Sequence, residues 1–291
     1  MNFENRTIAI LSFMAMALFL TPVTVATAKD PVDSDEKDPH FEYLVQRLKR
    51  LSVHVGDTAR DIAELQTKPL FRWQNPVSGA DGAVFVWTVQ DRPLALAKIH
   101  VNDQRKCYVE SMTGTTPKTF EIRRDGAVYW APAKSDVSPR KFTDVGPPAE
   151  ANGARLTQMR AIARRFRFTS LWGEENRSEW ELRVLSTPLY RYGNPDTGLI
   201  DGALFGYAQG TNPEAVVIVE ALKTRDRTVW EASPVRLSGY AIKSWLDDEL
   251  VLDVPHMTRT PSNASYHHHY EQPRPYPFPE KTVTPPTVPA P

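Results

Sequence analysis

One block of nineteen residues occurs twice in this chain, and it constrains the fold more than any other feature. Pro69-Leu-Phe-Arg72-Trp73-Gln-Asn75-Pro76-Val-Ser-Gly79-Ala-Asp81-Gly82-Ala83-Val-Phe85-Val-Trp87 returns as Pro188-Leu-Tyr-Arg191-Tyr192-Gly-Asn194-Pro195-Asp-Thr-Gly198-Leu-Ile-Asp201-Gly202-Ala203-Leu-Phe205-Gly-Tyr207. With one residue inserted after Gly198, ten of the nineteen positions are identical and five more are conservative swaps. The period of about 120 residues exceeds the 20–50 of solenoid repeats, so the block marks a duplicated domain or half-domain.

Each copy opens with a helical pattern. Phe41, Leu44, Val45, Leu48, Leu51 and Val55 follow helix spacing behind Asp38-Pro39 as N-cap and N1, with Gly56 as the stop. Leu156, Met159, Ala163 and Phe166 mark the second helix after the breaker Pro147-Pro148. Alternating strands then follow at 82–89, 94–101, 106–112, 119–124 and 127–130, and again at 180–185, 202–209, 214–223 and 228–235, with a final pair around Asp247-Asp248. Asp125-Gly126 is a two-residue hairpin signal. Connections this short exclude parallel crossovers and predict antiparallel meanders. The unbroken apolar run 215–219 predicts a strand covered on both faces. The expected fold is therefore α+β: two repeats, 29–150 and 151–258, each an amphipathic helix followed by an antiparallel meander, packed as one pseudo-twofold body.

The ends differ from this body. Residues 1–28 combine Arg6, a 13-residue apolar run and Ala26-Thr27-Ala28, the pattern of a cleaved secretory signal. The run is short of the roughly 20 residues that span a bilayer, so export without a transmembrane segment is expected, to the periplasm, the cell surface or beyond. Residues 259–291 hold nine prolines and almost no aliphatic side chains, which predicts a disordered, polyproline-like tail.

Composition excludes some functions. Lysine plus arginine equals aspartate plus glutamate at 35 each, which argues against a dedicated nucleic-acid binder. Cys107 is the sole cysteine, so no intramolecular disulfide forms, and its strand context makes it a small buried apolar residue. There is no nucleophile elbow, phosphate loop, dinucleotide fingerprint or metal-binding cysteine pair. Catalytic residues are not identifiable, and no cofactor or metal is expected. His267-His268-His269 carry metal-binding chemistry without ligand spacing.

The candidate ligand or loop site lies in the repeat itself: Arg72, Trp73, Asn75 and Asp81, with Arg191, Tyr192, Asn194 and Asp201. Turn chemistry accounts for Asn-Pro and Asp-Gly, and each arginine has an aspartate to pair with across the loop. The functional alternative makes these residues the lining of a cleft, with Trp73 and Tyr192 as loop aromatics able to stack on a ligand. Arg155, Arg160, Arg164, Arg165 and Arg167 give the second helix a basic, solvated face.

The Pro-Leu-(Phe/Tyr)-Arg…Asp-Gly-Ala-x-Phe block, the helix Gln158-Met159-Arg160-Ala-Ile-Ala-Arg164-Arg165-Phe166 and Gly210-Thr-Asn-Pro-Glu214 resemble a set of uncharacterised exported proteins of planctomycete-type bacteria, over most of residues 40–255. The resemblance implies export and duplication, and no activity. Three functions stay open: a non-catalytic exported binding or structural protein with an unknown ligand or envelope partner, a hydrolase of envelope or extracellular polymers, and a half-barrel carrier of an apolar molecule.

Overall fold

The computed structural model describes residues 38–56, 62–75, 79–172, 178–225, 227–273 and 277–278. The expected signal segment 1–28, residues 29–37, Pro76 and the part of the expected tail beyond 278 lie outside the described residues.

The first half starts with helix α1 (Pro39–Lys49). Asp38 caps it, accepting from the amides of His40 at 3.0 Å and Phe41 at 3.4 Å, and Pro39 supplies a preset φ at the first position. Strands β1 (Leu51–Val55), β2 (Ile62–Asn75), β3 (Ala80–Val89), β4 (Arg92–Asn102), β5 (Cys107–Gly114), β6 (Phe120–Arg124) and β7 (Ala127–Trp130) follow. The helix expected to run to Gly56 ends seven residues earlier. Leu51 and Val53 alternate with Ser52 and His54, and this two-residue period pairs with β6 and buries one face of a strand. Asp125 and Gly126 both take positive φ, 51° and 87°, which is what the tight β6–β7 hairpin requires.

Strand β8 (Arg140–Phe142) ends the first half of the chain, and the second half comprises α2 (Asn152–Ala163), β9 (Phe166–Trp172), β10 (Ser178–Glu181), β11 (Arg183–Val184), β12 (Tyr190–Asn194), a 3-10 turn (Pro195–Thr197), β13 (Leu199–Gln209), β14 (Asn212–Lys223), β15 (Thr228–Arg236), β16 (Ala241–Leu246), β17 (Glu249–Val254) and β18 (Tyr266–Glu271). Its register repeats that of the first half. Gly82 faces His100 as Gly202 faces Glu220, and the β3–β4 irregularity at Trp87/Thr88 matches the β13–β14 one at Tyr207/Ala208. Asp247 (φ 52°) donates its amide to the Arg165 carbonyl as Asp125 does to that of Arg50.

The expected α+β class is not what forms. Two helices stand against eighteen strands among the described residues, and the molecule is mostly β. Eight antiparallel strands in the order β18-β5-β4-β3-β2-β1-β6-β7 curl into a nearly closed barrel. Its two ends meet where the Ala131 and Ala133 amides donate to the Ser262 and Asn263 carbonyls and Trp130 Nε1 donates to the Ala264 carbonyl at 2.7 Å. Closure of this kind removes exposed edges. The helices are caps on β cores rather than a separate layer. In the second half the path of the single strand β2 is divided among β10, β11 and β12, so β10-β9-β16-β17 and β11-β13-β14-β15-β8 are two sheets around one core.

The expected disordered tail is also corrected at residues 266–271. Strand β18 pairs with β5 at all six positions, from Tyr266↔Thr113 to Glu271↔Tyr108. Proline content dominates the composition of 259–291, but only Pro261 precedes β18 in that segment and none interrupts it.

The first interior is filled by Phe85, Trp87, Tyr108, Met112, Phe120 and Trp130 with Leu44 and Leu48 of α1, the second by Phe168, Phe205, Tyr207, Val217 and Trp230 with Met159 and Ile162 of α2. Full burial of each such side chain contributes about 1.5–3 kcal/mol. Residues 215–219 are buried at every position: Ala215, Val217 and Val219 face their own core, while Val216 and Ile218 join Val84, Val86 and Leu96 in the contact between halves. Arg92 and Glu220 cross that contact with two hydrogen bonds, at 3.0 and 2.6 Å.

Candidate functional site

Both copies of the repeat place their arginine and aspartate on neighbouring strands. In the first, Arg72 on β2 and Asp81 on β3 are diagonal cross-strand neighbours, and Arg72 Nη2 reaches both carboxylate oxygens, at 3.2 and 3.0 Å. The same nitrogen binds the carboxylate of Asp38, so the α1 N-terminus is tied to the motif. Partial burial works against the charge on Asp38, but Arg72 and two helix amides outweigh it and hold the carboxyl below its usual range. His40 adds contacts to Asp81 at 4.0 Å and Asp103 at 3.6 Å.

In the second copy the pairing is bidentate, with Arg191 Nε to Asp201 Oδ1 at 2.9 Å and Nη2 to Oδ2 at 2.6 Å. The N-cap of α2 is Ala151, which offers no side-chain acceptor. Arg155 approaches instead, giving Nε to Asp201 at 2.8 Å and Nη1 to the carbonyls of Ala149 and Glu150. Burial opposes the charge on Asp201, and the two guanidiniums overcome it and lower its pKa. Arg155 is therefore buried, and the expected solvated basic face loses its first member. Of the others, Arg165 pairs with Asp144 and Asp247, and Arg167 lies over Trp245.

Asn75 pairs with Ala80 across the first turn, and Asn194 accepts the Asp196 amide at 3.2 Å to start the 3-10 turn that Gly198 closes at φ 80°. Trp73 and Tyr192 are not loop aromatics. They lie on β2 and β12, only 5% and 6% exposed, each ring packed closely on the repeated glycine. A Cβ on Gly82 would sit 2.7 Å from the Trp73 ring, and one on Gly202 would sit 2.6 Å from Tyr192. This contact explains why Gly recurs after Asp in both copies.

Beyond the rings the copies diverge. Tyr192 donates its hydroxyl to Glu220 at 3.0 Å, completing a Tyr192–Glu220–Arg92 chain. Trp73 packs on His100, and Lys98 Nζ is 5.7 Å from its ring. Burial pushes Lys98 down to about 8, partly offset by Glu214, and burial with the neighbouring Lys98 pushes His100 down to about 3.

A polar cluster inside the first barrel was not anticipated. Glu110, fully buried, accepts from Arg124 at 3.0 and 3.2 Å, and His267 Nε2 lies 3.1 Å from Tyr129 Oη and 3.7 Å from Glu110. The available signal was Glu110 itself, a charge within a strand whose neighbours Tyr108 and Met112 point inward. His267 and His269 face this interior while His268 faces away to Ser111 at 2.8 Å, so the three imidazoles cannot converge on one ion. No group of three metal-ligating side chains occurs among the described residues. Cys107 is buried, which raises its thiol pKa.

No family model, curated protein or solved structure matches this chain.

A cleft of about 240 Å³ is lined by Asn152, Arg155, Arg191, Tyr192, Gly193, Ile200 and Asp201. Two guanidiniums face one carboxylate there, and Arg191 Nη1 takes no partner among the described residues. Among the described residues no helix is long and apolar enough to cross a membrane.

Proposed function

We propose that this chain is an exported, non-catalytic binding or structural protein, and that its ligand is a small carboxylate- or phosphate-bearing group held at the Arg155–Asp201–Arg191 cleft. The observation that carries this reading is the charge excess in that cleft, two cations against one anion, beside an Arg191 nitrogen with unused donors. A carrier of an apolar molecule needs an open interior, and both interiors are packed with aromatic side chains. A glycan hydrolase needs two carboxyl groups opposed across a substrate, whereas Asp81 and Asp201 are each committed to arginines. The signal-like first 28 residues and the resemblance to exported proteins support export.

Isothermal titration at low salt with inorganic phosphate and with citrate tests the ligand class. Saturable binding by the wild type that Arg191→Met abolishes, with an unchanged circular dichroism spectrum, is the expected result. Absence of binding to either probe would leave the cleft without a ligand of this class.

A further inference from the structure

Each half is completed by a strand that belongs to the other half's sequence. The chain leaves β7, runs through 131–139 and places β8 against β15 of the second half. It leaves β17, runs through 255–265 and places β18 against β5 of the first half. The two crossing linkers lie side by side, where the Ala131 and Ala133 amides donate hydrogen bonds to the Ser262 and Asn263 carbonyls. The exchange is thus reciprocal within one chain, and the slot between β5 and β7 is filled by a segment that arrives from outside the barrel it closes.

We propose that this slot is a strand-docking site that a second copy of the chain fills with its own β18, giving a strand-exchanged dimer. All six β5–β18 pairs and the contacts of 262–264 re-form unchanged in such a dimer, because the slot does not distinguish which chain supplies the strand. With 262–264 docked alongside β18, the seven residues 255–261, including Pro255 and Pro261, extend to roughly 23 Å once released and bridge to a molecule packed alongside.

The docked strand also has a release condition. His267 faces Glu110 of β5, Arg124 of β6, Tyr129 of β7 and His269 of β18 itself. His268 faces Ser111 of β5, Lys98 and His100 of β4, Arg236 of β15 and His256 of the linker. Burial pushes His267 down to about 3 and His268 down to about 4, with the surrounding cations adding to the effect. A docked strand that stays neutral while the released one protonates loses stability as pH falls from about 6.5 towards 4. Brief acidification therefore frees β18, and neutralisation at high concentration captures it in trans.

The test uses full-length chains with Cys107→Ser. One carries Val109→Cys and the other Tyr270→Cys, two positions that face each other across β5 and β18. The chains are mixed, taken to pH 4, neutralised and oxidised. A disulfide-linked pair of twice the monomer mass is expected from the mixture and from neither chain alone. A chain carrying both substitutions, oxidised before the acid step, is locked in cis and should stay monomeric throughout. The proposal is overturned if the mixed chains fail to cross-link although the doubly substituted chain forms its internal disulfide. It is equally overturned if the locked chain dimerises as readily as the unlocked ones.

Discussion

The two halves share a register and differ in what they bury. At the position where β5 carries Glu110, β15 carries Ala232, since Ile99↔Glu110 and Val219↔Ala232 follow from the same pairing. Where β6 carries Arg124 opposite Leu51, β16 carries Leu246 opposite Phe166. One barrel thus keeps a buried ion pair with an attendant Tyr129 and His267, and the other has solved the same geometry with apolar side chains. The backbone plan therefore does not demand the charges. They are a property of the first half alone, and they sit where the donated strand β18 closes the barrel.

Breaking the ion pair is the strongest test of that difference. Glu110→Ala, which installs the second half's residue, strands Arg124 and should cost about 4 kcal/mol in urea unfolding. Adding Arg124→Leu completes the second-half solution and should recover most of the loss. A harmless single substitution would show that the two interiors are less different than they look.

The Arg–Asp clasps separate next. Asp201→Ala leaves Arg155 buried without its anion and should cost about 3 kcal/mol, while Asp81→Ala leaves Arg72 still paired with Asp38 and should cost about 1 kcal/mol. Because the folded pKa of Asp201 is lowered, its contribution is present above 3.8 and lost as pH falls below that value. Acid unfolding curves of the wild type and Asp201→Ala should accordingly converge at low pH; parallel curves would contradict the clasp.

A Cβ beneath either ring should act alike in both halves. Gly82→Ala and Gly202→Ala each drive a methyl group against an aromatic ring and should cost about 2 kcal/mol by thermal melting. Tyr192→Phe, the smallest change, removes one buried hydrogen bond to Glu220 and should cost about 1 kcal/mol, visible as a small shift in urea midpoint.

Much of this was legible in the residues. Alternation located β3 to β7 and β13 to β15 but missed β2 and β9, Asp125-Gly126 announced its hairpin, and the spacing of Arg72 and Asp81 anticipated a pair across the turn. The helix boundary at Lys49 was not legible, because Leu51 and Val55 satisfy helical spacing as well as a strand's. The depth of Trp73 and Tyr192 was hidden because their cover is a glycine on the adjacent strand and a side chain from further away. β18 was hidden because six residues, Tyr-His-His-His-Tyr-Glu, were averaged into a proline-rich segment, and only the long-range partner β5 gives them a conformation. The cluster around Glu110 depends on that same remote pairing.

The late arrival of β18 has a consequence for how the molecule is made. During vectorial synthesis the first barrel cannot close until residue 271 has emerged, by which point the whole second half has been translated. Until then the sheet edges at β5 and β7 that β18 closes remain unpaired. For a protein proposed to leave the cytoplasm, the position of one strand in the order of translation would set the window in which a translocation channel can still accept the chain.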